Sequence, residues 1–147
     1  MSYHYAECGL SYIHLADGYN TEVIDEVTYV GVENVHGLHQ LIAKNITVKK
    51  SPLLGEEVRF LRIECGMSQK NLAEILGVDS QTVARWEKDQ TAIPRTSDAA
   101  LRSIYLESVD TNSKISFFLN LLAESEEVEV IQQLTLKAEN NHWSVAI

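Results

Sequence analysis

Ser80, Gln81, Thr82 and Arg85 stand close together, with Lys88 three residues on. Hydroxyls, a carboxamide and a guanidinium suit the reading of hydrogen-bonding edges: the carboxamide donates and accepts side by side, and the guanidinium offers a rigid fork of donors. A second set, His4, Cys8, His14, His36 and His39, invites metal chemistry, and His36 and His39 share a helical face. Its spacing lacks the CxxC or HxxxH arrangement of zinc sites, so no metal ligand is expected there. Glu124, Glu126, Glu127 and Glu129 read as a solvated charge run. The sequence holds no nucleophile elbow, phosphate loop or HExxH motif, and neither an enzyme nor a cofactor is expected. Cys65 reads as a small buried hydrophobe, and Cys8 has only His4 beside it to favour a redox-sensing thiolate.

The polar group falls in a stretch whose spacing predicts two short helices and a tight turn. Ser68 is placed to cap a helix beginning at Gln69, with Leu72, Ile75 and Leu76 inward and Ala73 leaving room for a neighbour. Gly77 suits the positive-φ position that ends a helix, and Val78 plugs the core from the turn. Asp79 can cap the next helix through the amide of Thr82, with Val83 and Trp86 on its inner side. Two short helices joined by a glycine-containing turn form the helix-turn-helix unit.

Arg62, Gly66, Ser68-Gln69, Leu72-Ala73, Gly77-Val78, Val83, Trp86-Glu87 and Pro94 together resemble the Cro/repressor (XRE-like) helix-turn-helix family over residues 54–107. The resemblance implies an all-helical, lambda-repressor-like domain and a sequence-specific regulator of transcription, a repressor, that binds double-stranded DNA. It implies that Ser80, Gln81, Thr82 and Arg85 meet base edges in the major groove. There Gln81 can pair with adenine and Arg85 with guanine. Gln69, Lys70 and Lys88 fall where phosphate is contacted. Arg62 and Glu87 match a structural salt bridge of the family and are not expected on DNA. Lys88-Asp89-Gln90 departs from the loops of many relatives, and the acidic Asp89 is expected to weaken affinity. Leu54-Gly55 stands where a Thr or Ser often caps the first helix, a minor change because Gly also caps. A wider resemblance, carried by residues 56–69 followed by ValAlaArgTrpGlu (83–87) and by the opening TyrHisTyrAlaGluCysGlyLeu with AspGlyTyr, is to MqsA-type antitoxin regulators lacking the zinc motifs. It implies an alternative role, binding a toxin and regulating its own operon. A third reading makes the His- and Cys-bearing N-terminal part a metal or ligand sensor.

The elements around this unit are read from local patterns. Residues 3–6, 10–15 and 22–30 read as strands, with a turn over Asp17-Gly18-Tyr19-Asn20. Residues 33–46 read as a helix with Val35, Leu38, Leu41, Ile42 and Ile46 on one side, weakened by Gly37. Pro52 marks a break after Lys49-Lys50-Ser51. Helices are expected over 55–65, 69–76, 80–88 and 97–107, and again over 114–125 with Ile115, Phe118, Leu119 and Leu122 inward. Residues 128–138 and 143–147 read as strands around an Asn140-Asn141 hairpin turn. The expected organisation is α+β: a β-rich unit with one helix over 1–50, the helix-turn-helix over 54–107, and a helix plus hairpin over 113–147.

The chain of 147 residues has a net charge of −9, which on its own argues against nucleic acid. Yet residues 44–95 hold nine of the twelve basic residues and seven of the twenty-one acidic ones, for +2 there against −11 elsewhere. The acidic flanks are expected to face away from phosphate. No apolar run approaches the ~20 residues of a membrane helix. MSYHYAECGL has neither a basic start nor an apolar core, so no signal peptide is expected. Two distant cysteines then suggest a reducing cytoplasm. One such unit reads few base pairs, so a homodimer is expected, on half-sites ~34 Å apart.

Overall fold

The computed structural model describes residues 2–109 and 136–145. The fold is α+β; among the described residues helices dominate and the strands form three small antiparallel pairs. The chain opens with β1 (Tyr3–His4), a 3-10 turn (Ala6–Cys8) and β2 (His14–Leu15), Tyr3 lying opposite Leu15. A hairpin of β3 (Tyr19–Ile24) and β4 (Val27–Val32) follows. Five helices come next: α1 (Val35–Val48), α2 (Gly55–Glu64), α3 (Gln69–Leu76), α4 (Ser80–Glu87) and α5 (Arg95–Ser108). A last hairpin joins β5 (Leu136–Glu139) to β6 (His142–Val145) through Asn140 and Asn141, both at positive φ as the sequence suggests.

The strands near the N-terminus depart from expectation. The run over 22–30 is not one strand but bends back on itself, because Asp25 (φ 50°) and Glu26 (φ 67°) form a two-residue turn with Ile24 opposite Val27. Two consecutive positive φ values match the right-handed twist of a hairpin. Asp tolerates that conformation, but Asp-Glu lacks the glycine that would have announced it. The strand expected over 10–15 shrinks to its last two residues. The amide and hydroxyl of Ser11 donate to the Glu56 carboxylate at 3.2 and 2.9 Å, and the Tyr12 hydroxyl donates to Glu57 at 2.5 Å, tying this segment to the first turn of α2 instead. The strand over 3–6 likewise gives way at the 3-10 turn. The helix read over 114–125 and the strand residues 128–135 lie outside the described residues.

One apolar cluster joins Leu10, the inner face of α1, and the four following helices. On α1 the buried residues are Ile42, Ala43, Ile46 and Thr47, with Leu38 packed beside them. Val35 and Leu41, expected inward, are 44% and 59% exposed. At about 100° per residue, the stripe through 38, 42 and 46 turns Leu41 away from α2 and α5. Asn34 caps α1, its side-chain oxygen accepting from the amide of Gly37 at 3.2 Å.

The break at Pro52 is fastened at both ends. Arg102 of α5 donates to the carbonyls of Lys49 and of Ser51, the latter at 2.8 Å. Asp98, one turn earlier, accepts from the Leu53 amide at 2.8 Å and from Arg102 Nε at 2.7 Å. Glu57 is as deeply buried and is satisfied by the Leu54 amide at 2.8 Å, the Tyr12 hydroxyl and the Lys49 ammonium. Buried carboxylates persist only when paired in this way.

Candidate nucleic-acid interface

The interface is assembled from the caps outward. Ser68 Oγ accepts from the Asn71 amide at 3.0 Å and starts α3. Leu72 and Ala73 are buried on its inner side, with Ile75 and Leu76 packed alongside. Gly77 (φ 72°) ends the helix in the left-handed region, letting the Val78 amide return to the Ala73 carbonyl at 3.0 Å. This is the 6→1 bond of a glycine C-cap, and it delivers Val78 to the core. Asp79 Oδ1 then accepts from the Thr82 amide at 2.9 Å and its hydroxyl at 3.1 Å. Those two bonds hold the Asp79 carboxyl below the usual aspartate range.

Val83 and Trp86 bury one side of α4. On the opposite side Ser80, Gln81, Arg85 and Lys88 are exposed, with Gln81, Arg85 and Lys88 at i, i+4 and i+7. They therefore form one stripe. Thr82 is half-buried, its hydroxyl engaged on Asp79. Lys70 is exposed on α3. The back of α4 is pinned at its last residue. Glu87 accepts from Arg62 Nε at 2.7 Å and from its second terminal nitrogen at 3.0 Å, while the remaining Arg62 nitrogen donates to the Met67 carbonyl at 2.9 Å. Gln69 joins this cluster, its Nε2 donating to Glu87 at 3.2 Å. The Gln69 side chain thus helps tie the start of α3 to the end of α4.

Asp89 has a place that its charge did not reveal. It stands at φ 56° just after α4, and its Oδ1 accepts from the Gly55 amide at 2.9 Å. The first turn of α2 is therefore capped from two directions, by Glu57 on Leu54 and by Asp89 on Gly55. Gly55 is buried against the end of α4: a Cβ there would stand 2.5 Å from the Trp86 carbonyl oxygen and 2.8 Å from that of Glu87. The only sequence hint was a glycine where a Ser or Thr is common.

The remaining candidates are held in other ways. His39 bridges the Tyr5 hydroxyl at 3.0 Å and Glu64 at 2.6 Å. His4 stacks on His14, and His36 is exposed. Among the described residues no three His, Cys, Asp or Glu side chains are grouped to hold a metal ion. Burial pushes both thiols up, Cys65 to about 11, and the Cys8 thiol donates to the Tyr5 carbonyl at 3.1 Å. Neither favours the thiolate that redox sensing needs. A largely apolar groove of ≈ 570 Å³ lies between residues 12–15 and α1, with Glu57 and Lys49 among its lining. Among the described residues no helix is long and apolar enough to cross a membrane.

Residues 58–100 match the family model described as helix-turn-helix, the XRE-family DNA-binding domain of transcriptional regulators. No curated protein and no solved structure matches the chain.

Proposed function

We propose that this helix-turn-helix chain is a sequence-specific transcriptional regulator that represses by occupying an operator as a dimer. The observation that carries the reading is the exposed stripe of Gln81, Arg85 and Lys88 on a helix whose other side is sealed by Val83 and Trp86 and pinned through Glu87. A recognition helix needs both parts: free side chains outside and a fixed orientation behind. In this reading Ser80, Gln81, Thr82 and Arg85 meet base edges, with Gln81 suited to adenine and Arg85 to guanine. Lys70 and Lys88 meet phosphate, and so does the start of α3 at Gln69, through its backbone N–H groups. Asp89 engages one carboxylate oxygen on the Gly55 amide, which gives this acid a structural role beside the recognition helix.

Binding of the wild type and of the Gln81→Ala, Arg85→Ala variant to the DNA upstream of its own gene, across a salt series, tests the reading. The expected result is a steep salt slope for both, with the variant losing preference for that DNA over random DNA by ~1–3 kcal/mol per lost base contact. A wild type without preference at low salt overturns it. The antitoxin-like alternative, in which the flanking segments bind a toxin, draws on the exposed apolar residues Val23, Ile24, Val27 and Tyr29. A stoichiometric protein partner bound by the full chain would favour it.

A further inference from the structure

We propose that the outer edge of β4 is where two copies of this chain pair, antiparallel about a twofold axis at Val30. This assigns a surface to the dimer and rests on the regulator reading only for the use to which the dimer is put.

No side chain of the hairpin is buried, and Val23 and Tyr29 are 67% and 54% exposed. A two-stranded ribbon is marginal in water and needs a third strand or a covering layer. The register shows which groups would receive it. Ile24 and Val27 flank the two-residue turn and form a hydrogen-bonded pair, so bonded and non-bonded pairs alternate from there. The alternation runs on to Glu33, whose amide donates to the Gly18 carbonyl at 2.8 Å. Thr28, Val30 and Val32 fall at the non-bonded pairs, so their N–H and C=O groups point away from β3.

The two edges of the ribbon differ. β4 reads Val27-Thr28-Tyr29-Val30-Gly31-Val32, with no charge and no proline, and its one-to-one register has no bulge. Charge, proline and bulges keep an exposed edge from pairing; β4 has none of the three, and among the described residues no other strand pairs with that edge. Both strands are flanked by acids, Asp17 and Asp25 for β3 and Glu26 and Glu33 for β4, but only β3 carries one within it, Glu22, so a second acidic copy is repelled more from that edge. An antiparallel ladder must join outward-facing residues to each other. Centred on Val30, it sets Val30 against Val30 of the partner subunit and Thr28 against Val32 of the partner subunit. Tyr29 then faces Gly31 of the partner subunit, beside the Asn20 side chain that lies over that glycine. Glu33 falls opposite Val27 of the partner subunit, and Glu26 opposite Asn34 of the partner subunit, so no acidic pair meets directly. The strand is therefore self-complementary, as a closed twofold contact requires. The resulting four-stranded sheet has one uncharged face, built in each copy from Tyr19, Thr21, Val23, Thr28, Val30 and Val32.

Sedimentation equilibrium of the full chain tests the pairing. Val30→Pro deletes one outward N–H per copy and leaves the hydrogen bonds to β3 in place. Thr28→Lys puts a charge on the same edge. The wild type is expected to be a dimer, and each variant is expected to weaken dimerisation by roughly tenfold or more while keeping the far-ultraviolet circular dichroism of the wild type. If Val30→Pro does not fold, Thr28→Lys decides. A monomeric wild type, or folded variants as dimeric as the wild type, overturns the pairing; so does a stoichiometric protein of another sequence on a monomeric chain. DNA binding is scored separately. A dimer lost on these substitutions in a chain with no DNA preference keeps the pairing and removes the regulator reading. Variants that stay dimeric and bind the operator do the reverse.

Discussion

Along α2 to α5, Val58, Leu61, Leu72, Val83 and Leu101 are all sealed at 0% exposed, whereas the β3–β4 hairpin has no buried residue and leaves Val23, Ile24, Val27 and Tyr29 open. The contrast extends to charge. The helices bury Glu57, Glu87 and Asp98, each held by two or more donors. The hairpin carries its acids on the surface. The helical part has a sealed core and partners for its buried carboxylates, while Leu41, Val48, Ile63 and Leu106 stay exposed on its surface. The hairpin has the sequence of a sheet without the sheet. The same chain thus joins helices packed around one core to a hairpin that leaves its apolar residues to solvent.

This contrast can be tested from the strongest contact downward. Arg62→Ala strands Glu87, and with side-chain exposures of only 12% and 4% solvent does little to screen the pair. The expected cost is ~3–5 kcal/mol by urea denaturation. A cost under about 1 kcal/mol would mean that the helical part does not depend on this internal pairing. Gly55→Ala forces a Cβ within 2.5 Å of the Trp86 carbonyl oxygen. The expected loss is ~1–3 kcal/mol, with recognition by α4 weakened because its end is displaced. Ser68→Ala removes the α3 cap and should cost about 1 kcal/mol.

Acid titration probes the neighbouring cap. The folded Asp79 carboxyl lies below its ordinary value of 3.8, so its contribution is present above that value and lost as pH falls through the lower, folded value. Asp79→Asn should flatten that part of the Tm-against-pH curve. Val23→Ser should change the stability of the dilute monomer by less than about 0.5 kcal/mol. A larger loss would mean that the hairpin is already covered within one copy, and the contrast would fail.

The helix-turn-helix was legible because each of its signals is local. Ser68, Gly77 and Asp79 act on backbone groups within a few residues, and Leu72, Val83 and Trp86 follow the helical period. Arg62 with Glu87 was legible only through family resemblance, since 25 residues separate them. What stayed hidden depends on distant partners. Asp89 read as a misplaced charge because its acceptor role needs Gly55, which lies 34 residues away. The bond from Gln69 to Glu87 stayed hidden because nothing in its own helix announces a partner 18 residues away. The turn at Asp25-Glu26 escaped for a different reason: its backbone is typical of a hairpin, but its residues are not.

Arg102 and Asp98 hold the chain from Lys49 to Leu53 against α5, and Ile42, Ala43 and Ile46 of α1 share the core beyond it. A fragment cut at Leu54 for transplantation into another regulator would therefore leave the wall of its own core behind. A portable cassette must reach back further still, to Leu10, which shares that core, and to Tyr12, whose hydroxyl donates to the buried Glu57. Any chimera that keeps α5 without the strap from Lys49 to Leu53 carries a guanidinium and a carboxylate with their backbone partners removed.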